Sequence, residues 1–476
     1  MKKTLTKEVI RELGSAEKTI VIEMLQEQIN LQKEEINRLK VKLKNLEGQI
    51  AKNSKNSSKP PSSDTKKPNK TTSSRKKSDK KPGGQPGHKG HHLAMKATPD
   101  ETVVLSVDEC KNCGNALKGI ANNIESRQEF EIPEPKFIVT EYQAESKGCK
   151  CCGYTTTACF PDGITHTAQY GKRARSLMVY MNQYQFVPFD RASQFFEAIY
   201  GHKVSPGTIV NAVDALAARL DNLDNQIKEA LANAEVVHCD ETSLSVSGTK
   251  HWLHTVGNEK LAHYALHPKR GVQATQDIGI LPGFTGTMVH DHWKSYFTYE
   301  DSEHALCNAH HIRELRFINE HHNMKWAGTI SSLLIYINQH KKKHSQSGNT
   351  EFSAYLLNKY SNRYDEVLEK ARKEHAKRST KDSHNLLKRL KAYKKETLLF
   401  MYDFSVPFTN NLSEQDLRMS KIKQKISGCF RQIAGGSAFC KIRNLLTSAR
   451  KNDKNAFEII QEAFYRIIAV DDLLTT

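Results

Sequence analysis

The stretch Glu235-Val-Val-His-Cys-Asp-Glu-Thr-Ser-Leu-Ser-Val246 decides the fold of this chain. Its alternation predicts a β-strand, because side chains two residues apart share one face of a strand. The face that carries an acid also carries aliphatic side chains, and its members are Val236, His238, Asp240, Thr242, Leu244 and Val246. An unpaired carboxylate is costly to bury among such neighbours, so Asp240 needs a cationic partner. The strand alone leaves two partners open, a basic side chain or a metal ion.

The segments that follow this strand predict a mixed sheet. Residues 250–256 and 261–266 are two further strands of a meander, 270–278 is a polar helix, and 286–291 is an apolar strand that ends in Asp291. This order of elements is that of ribonuclease H-like folds, in which the first and fourth strands are neighbours. We therefore expect Asp240 and Asp291 to converge.

Glu414 is the candidate for the third acid that a site with two divalent ions needs. It begins a helix in which Glu414, Arg418, Lys421 and Lys425 follow one another in steps of four, three and four. These steps put the four side chains on one stripe. A carboxylate followed by three cations suits a metal-bound phosphate and its flanking backbone. A capping box between Asn411 and Glu414 explains the same acid equally well.

The segment between the two halves of this core, 305–400, is rich in helix-forming and charged residues. A plain ribonuclease H-like fold needs only a short connection there. We interpret the segment as an all-helical insertion, and the alternative is a separate helical domain without a catalytic part.

The N-terminal residues 1–51 predict a coiled coil. Apolar residues on alternating steps of three and four form the seam, with one polar interruption at Gln32. The seam consists of Ile22, Leu25, Ile29, Ile36, Leu39, Leu43, Leu46 and Ile50. We expect it to join at least two copies of the chain, and the alternative is one amphipathic helix packed on its own domain.

Residues 52–95 form a basic linker. Between residues 51 and 90 there are twelve Lys or Arg and two acids, so this stretch predicts a disordered cationic arm. The arm suits contact with phosphates, and the alternative is a solubilising linker. The whole chain carries a net charge of +18, which makes a polyanion the first partner to consider. No apolar run approaches the ~20 residues of a membrane span, and the start of the chain lacks the apolar region of a signal peptide, so we expect a cytoplasmic protein.

Two Cys-x-x-Cys pairs predict a structural zinc ribbon over residues 96–160. The expected ligands are Cys110, Cys113, Cys149 and Cys152, and each pair is followed by a glycine that suits a zinc knuckle. We expect short strands in this ribbon, among them residues 136–142. Cys151 is a possible substitute ligand, and a redox or disulfide pair is the alternative to zinc.

Residues 161–232 predict helices only. A helix that ends at Gly201 is followed by Ser205-Pro206, a cap and first-turn proline that start the next helix. This outline is that of a helix-turn-helix motif, although any αα-hairpin shares it.

Several blocks of this sequence resemble the signature blocks of the IS66-type bacterial transposases. In the catalytic region they are His238-Cys-Asp-Glu-Thr242, Val289-His-Asp-His-Trp293, His304-Ala-Leu-Cys-Asn-Ala-His-His-Ile-Arg-Glu-Leu315 and Pro407-Phe-Thr-Asn-Asn-Leu-Ser-Glu-Gln-Asp-Leu-Arg-Met419. Two more are Lys423-Gln-Lys-Ile-Ser-Gly-Cys-Phe-Arg431 and Gly83-Gly-Gln-Pro-Gly-His-Lys-Gly90. The similarity runs from the coiled coil nearly to the C-terminus, in the order of the family.

The resemblance implies a DDE transposase whose three acids are Asp240, Asp291 and Glu414. Such an enzyme takes Mg²⁺ or Mn²⁺, cleaves double-stranded DNA at the 3′ ends of the element and joins them to target DNA. The expected DNA contacts are Arg418, Lys421, Lys425 and Arg431. The expected partners are transposon-end and target DNA, further copies of the chain and accessory proteins, in a bacterial cytoplasm and on the nucleoid when bound to DNA.

Two other functions fit parts of the sequence. A binuclear metal-dependent phosphoesterase or nuclease would use the imidazoles around His290, His292 and the Cys307-x-x-His310-His311 segment for Zn²⁺ or Mn²⁺. A catalytically inactive DNA-binding regulator would use only the zinc ribbon and the coiled coil.

The predicted architecture is a multidomain α+β chain with a ribonuclease H-like core, a mixed sheet flanked by helices. Its parts are the coiled coil (1–51), the basic linker (52–95), the zinc ribbon (96–160), the helical region (161–232), the first part of the core (233–304), the helical insertion (305–400) and the second part of the core (401–476).

Overall fold

The computed structural model describes residues 14–52, 87–90, 93–377 and 380–475. Helix α1 (Ser15–Ala51) is continuous, and the apolar residues of its heptad seam are exposed in the single chain. Its end contacts the helical insertion, where Lys52 pairs with Asp382 at 2.7 Å. Most of the predicted basic linker lies outside the described residues.

The ribbon region contains one small antiparallel sheet, formed by β1 (Ser146–Gly148) and β2 (Thr155–Thr157). The expected strand over residues 136–142 is absent from the structure, where this segment has no regular secondary structure and is largely exposed. Its alternating sequence was therefore a wrong indication, because a strand needs a neighbour to satisfy its backbone groups.

Between the ribbon region and the large sheet the structure describes four α-helices, the first of which continues into a π-helical turn (Tyr180–Tyr184). They are α2 (Lys172–Val179), α3 (Phe189–Tyr200), α4 (Pro206–Arg219) and α5 (Asp221–Ala232). Gly201 ends α3 in the left-handed conformation (φ 63°), and the Ser205 side chain accepts a hydrogen bond from the Thr208 N–H at the start of α4, as predicted. The apolar faces of α3 and α4 join the main hydrophobic core, so the pair is an αα-hairpin packed against the rest of the protein.

The large sheet has five strands. They are β3 (Val236–Val246), β4 (Thr249–Gly257), β5 (Ala262–His267), β6 (Thr287–His290) and β7 (Glu303–Leu306), with α6 (Val272–Ile278) between β5 and β6. Their spatial order is β5-β4-β3-β6-β7. The first three strands are antiparallel, and β6 and β7 run parallel to β3. The meander and the β3–β6 neighbourhood were predicted, whereas β7 was missed and crosses the expected boundary at residue 304.

The segment after β7 is all-helical, as expected. Its helices are α7 (Asn308–His322), α8 (Lys325–Gln346), α9 (Ala354–Lys377), α10 (Lys381–Ala392) and α11 (Lys394–Tyr402). They share one apolar cluster with Val289 of β6 and Ala305 of β7. The insertion is therefore packed onto the edge of the sheet that carries β6 and β7.

Four helices complete the chain: α12 (Asn411–Ser427), α13 (Ile433–Lys451), α14 (Ala456–Tyr465) and α15 (Val470–Leu474). Leu417 of α12 packs with Leu244 and Val246 of β3 in one apolar cluster. Val237 and Cys239, on the opposite face of β3, belong to the main core. Both faces of β3 are thus covered, which makes it the interior strand that its sequence predicted. None of the described helices combines the length and the apolar run that a membrane span requires.

Candidate active site

Asp240 lies on β3, and Asp291 follows directly after the neighbouring parallel strand β6. The register pairs His238 of β3 with Val289 of β6, and each acid follows its member of that pair by two residues. Neither carboxylate has an ion pair within the described parts of the chain. Asp240 Oδ1 accepts the backbone N–H of Glu241 at 2.8 Å, and Asp291 Oδ1 accepts that of Trp293 at 2.8 Å. The predicted convergence of the two acids is present in the fold.

Burial and neighbouring charges make the ionised form of these two acids unfavourable. Burial raises the pKa of Asp240 well above its ordinary value, and the charges of Glu241, Asp291 and Glu414 raise it further. Burial, followed by the charge of Glu241, also raises the pKa of Asp291. Carboxylates that repel one another in a buried position favour protons or metal ions. Oxygen ligands of this kind are those that Mg²⁺ prefers, so the donor set fits a hard divalent ion.

Glu414 lies in the first turns of α12, which packs on β3 and β4. The capping box that competed with a catalytic role is absent, because α12 begins one residue earlier than that box requires and its N-cap, Asn410, makes no side-chain cap hydrogen bond. Glu414 instead pairs with Arg313 of α7 at 3.4 Å. The carboxylate is therefore free of the local role that sequence alone allowed.

Asn410 connects the start of α12 to β3. Its side-chain N–H donates to the Cys239 carbonyl at 2.8 Å, so its Oδ1 is the acceptor for the Nδ1–H of His238, also at 2.8 Å. Burial lowers the pKa of His238 to about 4, which keeps the imidazole neutral at pH 7. All three residues are buried. The pair of hydrogen bonds holds the helix that carries Glu414 next to the strand that carries Asp240.

Two more contacts hold α12 in place. The buried Asp416 pairs with Lys451 of α13 at 2.7 Å, and the Lys421 ammonium donates to the Ser243 carbonyl of β3. The Lys421 ammonium is thus bound to the protein backbone, and burial lowers the pKa of this group. Arg418, Lys425 and Arg431, the other expected DNA contacts, are exposed.

Glu241 is a buried carboxylate that the sequence analysis did not single out. It lies on the opposite face of β3 from Asp240 and pairs with Arg270 at 2.6 Å, while the Tyr296 hydroxyl donates to it at 2.5 Å. The Arg270 guanidinium stacks 3.8 Å from the Trp293 ring centroid. The sequence signal for Glu241 is that two successive acids lie in an interior strand. Their side chains point to opposite faces, so each face must supply a partner for its own carboxylate.

Histidines surround the same region. A cavity of about 210 Å³ is lined by Asp291, His292, Trp293, Leu306, Cys307, His310, His311, Glu314 and Arg389. Burial lowers the pKa values of His292 and His310 to about 4. These imidazoles are neutral at pH 7, which is the form that can bind a metal ion.

One compact group of metal-type ligands occurs in the described residues. It joins Cys307, His310 and Glu414, whose ligand atoms all lie within 4.8 Å of one another. Asp240 and Asp291 are outside that group, so in this structure the three acids are neighbours without a single common centre. The Cys307-x-x-His310 spacing is visible in the sequence, whereas its association with Glu414 is visible only in the structure.

The two cysteine pairs form equivalent turns. Gly114 N–H donates to the Cys110 carbonyl at 2.9 Å, and Gly153 N–H donates to the Cys149 carbonyl at 2.8 Å. Both glycines have positive φ, as the tight turn requires. Backbone N–H groups lower the pKa values of Cys110 and Cys149, which favours thiolates. Each knuckle fits zinc, although the four sulfurs are not gathered within 4.8 Å of one another in the described structure.

The strand order and directions define a mixed α/β fold around a five-stranded sheet, with acids on the first strand of that sheet and after its fourth. The chain belongs to the IS66 family of transposases, because the family profile matches residues 167–438, more than half of the chain. The zinc-finger binding domain of transposase IS66 matches residues 108–153, and a family of unknown function matches residues 7–94. The family is one of enzymes that cleave and transfer DNA.

No match to a curated protein was found. Among solved structures, the crystal structure of the Mos1 strand transfer complex is similar at 13% identity, with a TM-score of 0.13. The match covers 30% of this chain and 60% of that chain, which is less than two thirds of its length. A similarity of this size carries no argument about the present fold.

Proposed function

We propose that this chain binds the terminal inverted repeats of its element, cleaves the DNA at the 3′ ends and joins those ends to target DNA. The observation that carries the proposal is the pair of half-buried carboxylates, Asp240 on β3 and Asp291 directly after the neighbouring parallel strand β6, neither of which forms an ion pair in the described parts of the chain. Family membership supports the substrate class, which is transposon-end DNA.

The three acids share one role in this proposal. Asp240, Asp291 and Glu414 would together hold the divalent ions, Mg²⁺ or Mn²⁺. The bound ions would activate the attacking oxygen and stabilise the leaving 3′ oxygen. Asn410 keeps Glu414 at the correct distance from Asp240 by tying α12 to β3.

The DNA contacts are proposed from charge and exposure. Arg418, Lys425 and Arg431 are exposed near Glu414 in sequence and are available to the backbone phosphates. Lys421 contributes to the position of the helix. Zinc held by Cys110, Cys113, Cys149 and Cys152 would join the two knuckles into one DNA-binding unit.

Transposition requires that both element ends be held together, so we propose that α1 joins at least two copies of the chain. The exposed seam of α1, apolar over about four heptads, supports this role. Accessory proteins would act on such an assembly.

The test is Mg²⁺-dependent nicking of DNA that carries the inverted repeats flanking the gene. We expect Asp240→Asn to reduce nicking to the background level, because Asn cannot neutralise the bound cations. Asp277→Asn is the matched control, since the Asp277 side chain is 55% exposed and pairs only with His267 in the described structure. Undiminished cleavage by Asp240→Asn would refute the proposal, and DNA binding without cleavage by the unaltered protein would favour an inactive regulator.

The second candidate is a metal-dependent phosphoesterase for a small substrate. It is favoured by the imidazoles around the cavity of about 210 Å³. Zn²⁺-dependent hydrolysis of a nucleotide-sized phosphodiester that survives Glu414→Gln would support this candidate over a transposase.

A further inference from the structure

Cys307 and His310 lie together at the junction of β7 and α7. Cys307 is the N-cap of α7, and the His310 N–H donates to its carbonyl at 3.1 Å. This single turn brings the thiol and the imidazole to one side of the helix start. Glu414 reaches the same place from α12, and the ligand atoms of the three residues lie within 4.8 Å of one another.

The surroundings of this group are those of a built site. Cys307 is 2% exposed, and its Sγ accepts the backbone N–H of Asn410 at 3.1 Å. His310 Nδ1 is buried without a hydrogen-bond partner in the described parts of the chain. A buried polar atom without a partner is destabilising, and an ion bound to this imidazole would remove that cost.

The donor set distinguishes between metal ions. Sulfur, nitrogen and oxygen ligands together match Zn²⁺, whose tetrahedral sites use Cys, His and carboxylates, whereas Mg²⁺ prefers oxygen alone. Ligand atoms around tetrahedral zinc are ~3.5 Å apart for bonds of ~2.0–2.3 Å, so the group needs only a small contraction. Arg313 contacts Oε1 of Glu414, and the other carboxylate oxygen remains for the ion.

We propose that Cys307, His310 and Glu414 form a Zn²⁺ site with one open coordination position. The site is separate from the cysteine knuckles and shares Glu414 with the Mg²⁺ site of the proposed function. Zinc bound there withdraws Glu414 from Asp240 and Asp291. The consequence for cleavage rests on the proposed function, whereas the binding of zinc does not.

The test measures zinc bound per full-length chain, without DNA. The protein is stripped with a chelator, reloaded with Zn²⁺ and separated from free metal before zinc is quantified. We expect Cys307→Ser and His310→Asn each to bind one ion fewer per chain than the unaltered protein. Cys440→Ser is the matched control, because Cys440 is a buried thiol of α13 outside the group. The knuckle cysteines are the same in all four proteins, so the difference reports on this site alone.

Co²⁺ gives a second measurement, and its first part uses only the unaltered protein, so it does not depend on the fold of a variant. Titration of the unaltered protein should show two phases of sulfur-to-cobalt absorption, one for the knuckles and one for Cys307. Substitution of Cys307 or His310 should lower the Co²⁺ affinity of the second phase by more than ~10–100-fold, which is the loss of affinity when only an outer hydrogen-bond partner of a metal ligand is removed. Equal zinc content in all four proteins, or a single cobalt phase, would overturn the proposal.

The same experiment separates this inference from the proposed function. Zinc that binds as described in a protein without Mg²⁺-dependent cleavage would contradict only the transposase proposal. Cleavage that is intact in a protein with no zinc at Cys307 would contradict only the zinc site. Where both hold, added Zn²⁺ should inhibit Mg²⁺-dependent nicking, and the ratio of rates with and without Zn²⁺ should be nearer to one in His310→Asn.

Discussion

Replacement of Asn410 by Ala tests how the third acid is positioned. The change removes two hydrogen bonds and leaves the His238 ring N–H and the Cys239 carbonyl without their partners in a buried place. Each buried group that loses its partner costs about 1–3 kcal/mol, so the free energy of unfolding should fall by about 2–6 kcal/mol. For a domain of this size that corresponds to a decrease in Tm of at least about 4 °C.

Activity should fall more than stability alone explains. Without these bonds the start of α12 is released from β3, and a displacement of ~1 Å in a catalytic group can cost ~100-fold in rate. The assay compares single-turnover nicking of terminal-repeat DNA at a temperature where thermal unfolding shows the variant to be folded. Asn411→Ala is the control, because Asn411 is the exposed next residue of the same helix turn and should change stability by no more than about 0.5 kcal/mol.

A third variant separates this explanation from helix capping. Asp is as good an N-cap residue as Asn, but its ionised carboxylate cannot donate to the Cys239 carbonyl. We therefore expect Asn410→Asp to be as impaired as Asn410→Ala. Normal cleavage and stability in Asn410→Asp, or equal effects of Asn410→Ala and Asn411→Ala, would refute the positioning role.

Three further predictions follow from single contacts. The raised pKa of Asp240 means that its negative charge destabilises the metal-free protein at pH values above the ordinary pKa of 3.8, and increasingly as the pH rises. We therefore expect Asp240→Asn to raise the Tm of chelator-treated protein at pH 8 and to leave the Tm nearly unchanged at pH 4. A lower Tm of this variant at pH 8 would contradict the sign of the effect. The exposed Arg418 is expected to contact DNA, so Arg418→Ala should reduce the salt dependence of DNA binding by the equivalent of about one phosphate contact. Lys421 donates to the Ser243 carbonyl, so Lys421→Ala should lower the stability of the protein and leave the salt dependence of DNA binding unchanged. The reverse pattern in salt titrations would contradict these two roles. Leu39→Lys should convert the assembly to monomers in sedimentation experiments, because it places a charge in the apolar seam of α1; an unchanged mass would show that α1 does not join the copies.

Much of the fold could be predicted because its signals are local. The alternation over residues 236–246 indicated β3, and the Ser205-Pro206 cap indicated the start of α4; the structure confirms both. Such signals depend on neighbours a few residues away, which the sequence displays directly. Strand β7 was not predicted, because its four residues are too few to show an alternating pattern. Residues 136–142 were wrongly predicted as a strand, because alternation does not show whether a partner strand is present.

The roles of individual site residues depended on distant partners. Asn410 stands directly before a helix, yet its side chain bonds to residues more than 170 positions earlier. The helical stripe predicts Lys421 as a DNA contact, whereas its ammonium donates to the Ser243 carbonyl in the structure. A helical stripe defines which residues share a face but not what that face meets.

By itself, the sequence determined the interior strand with Asp240, the meander and the strand that neighbours β3, the helical insertion, the two cysteine knuckles and the resemblance that family membership confirms. These follow from periodicity, spacing and motifs, which are properties of the chain read in order. Only the tertiary structure decided that Glu414 is not held in a capping box, that Glu241 is neutralised by Arg270, and that Cys307 and His310 share a place with Glu414. The physical reason is that the state of a buried polar group is set by whatever the fold brings within a few ångströms, and those partners are far away in sequence.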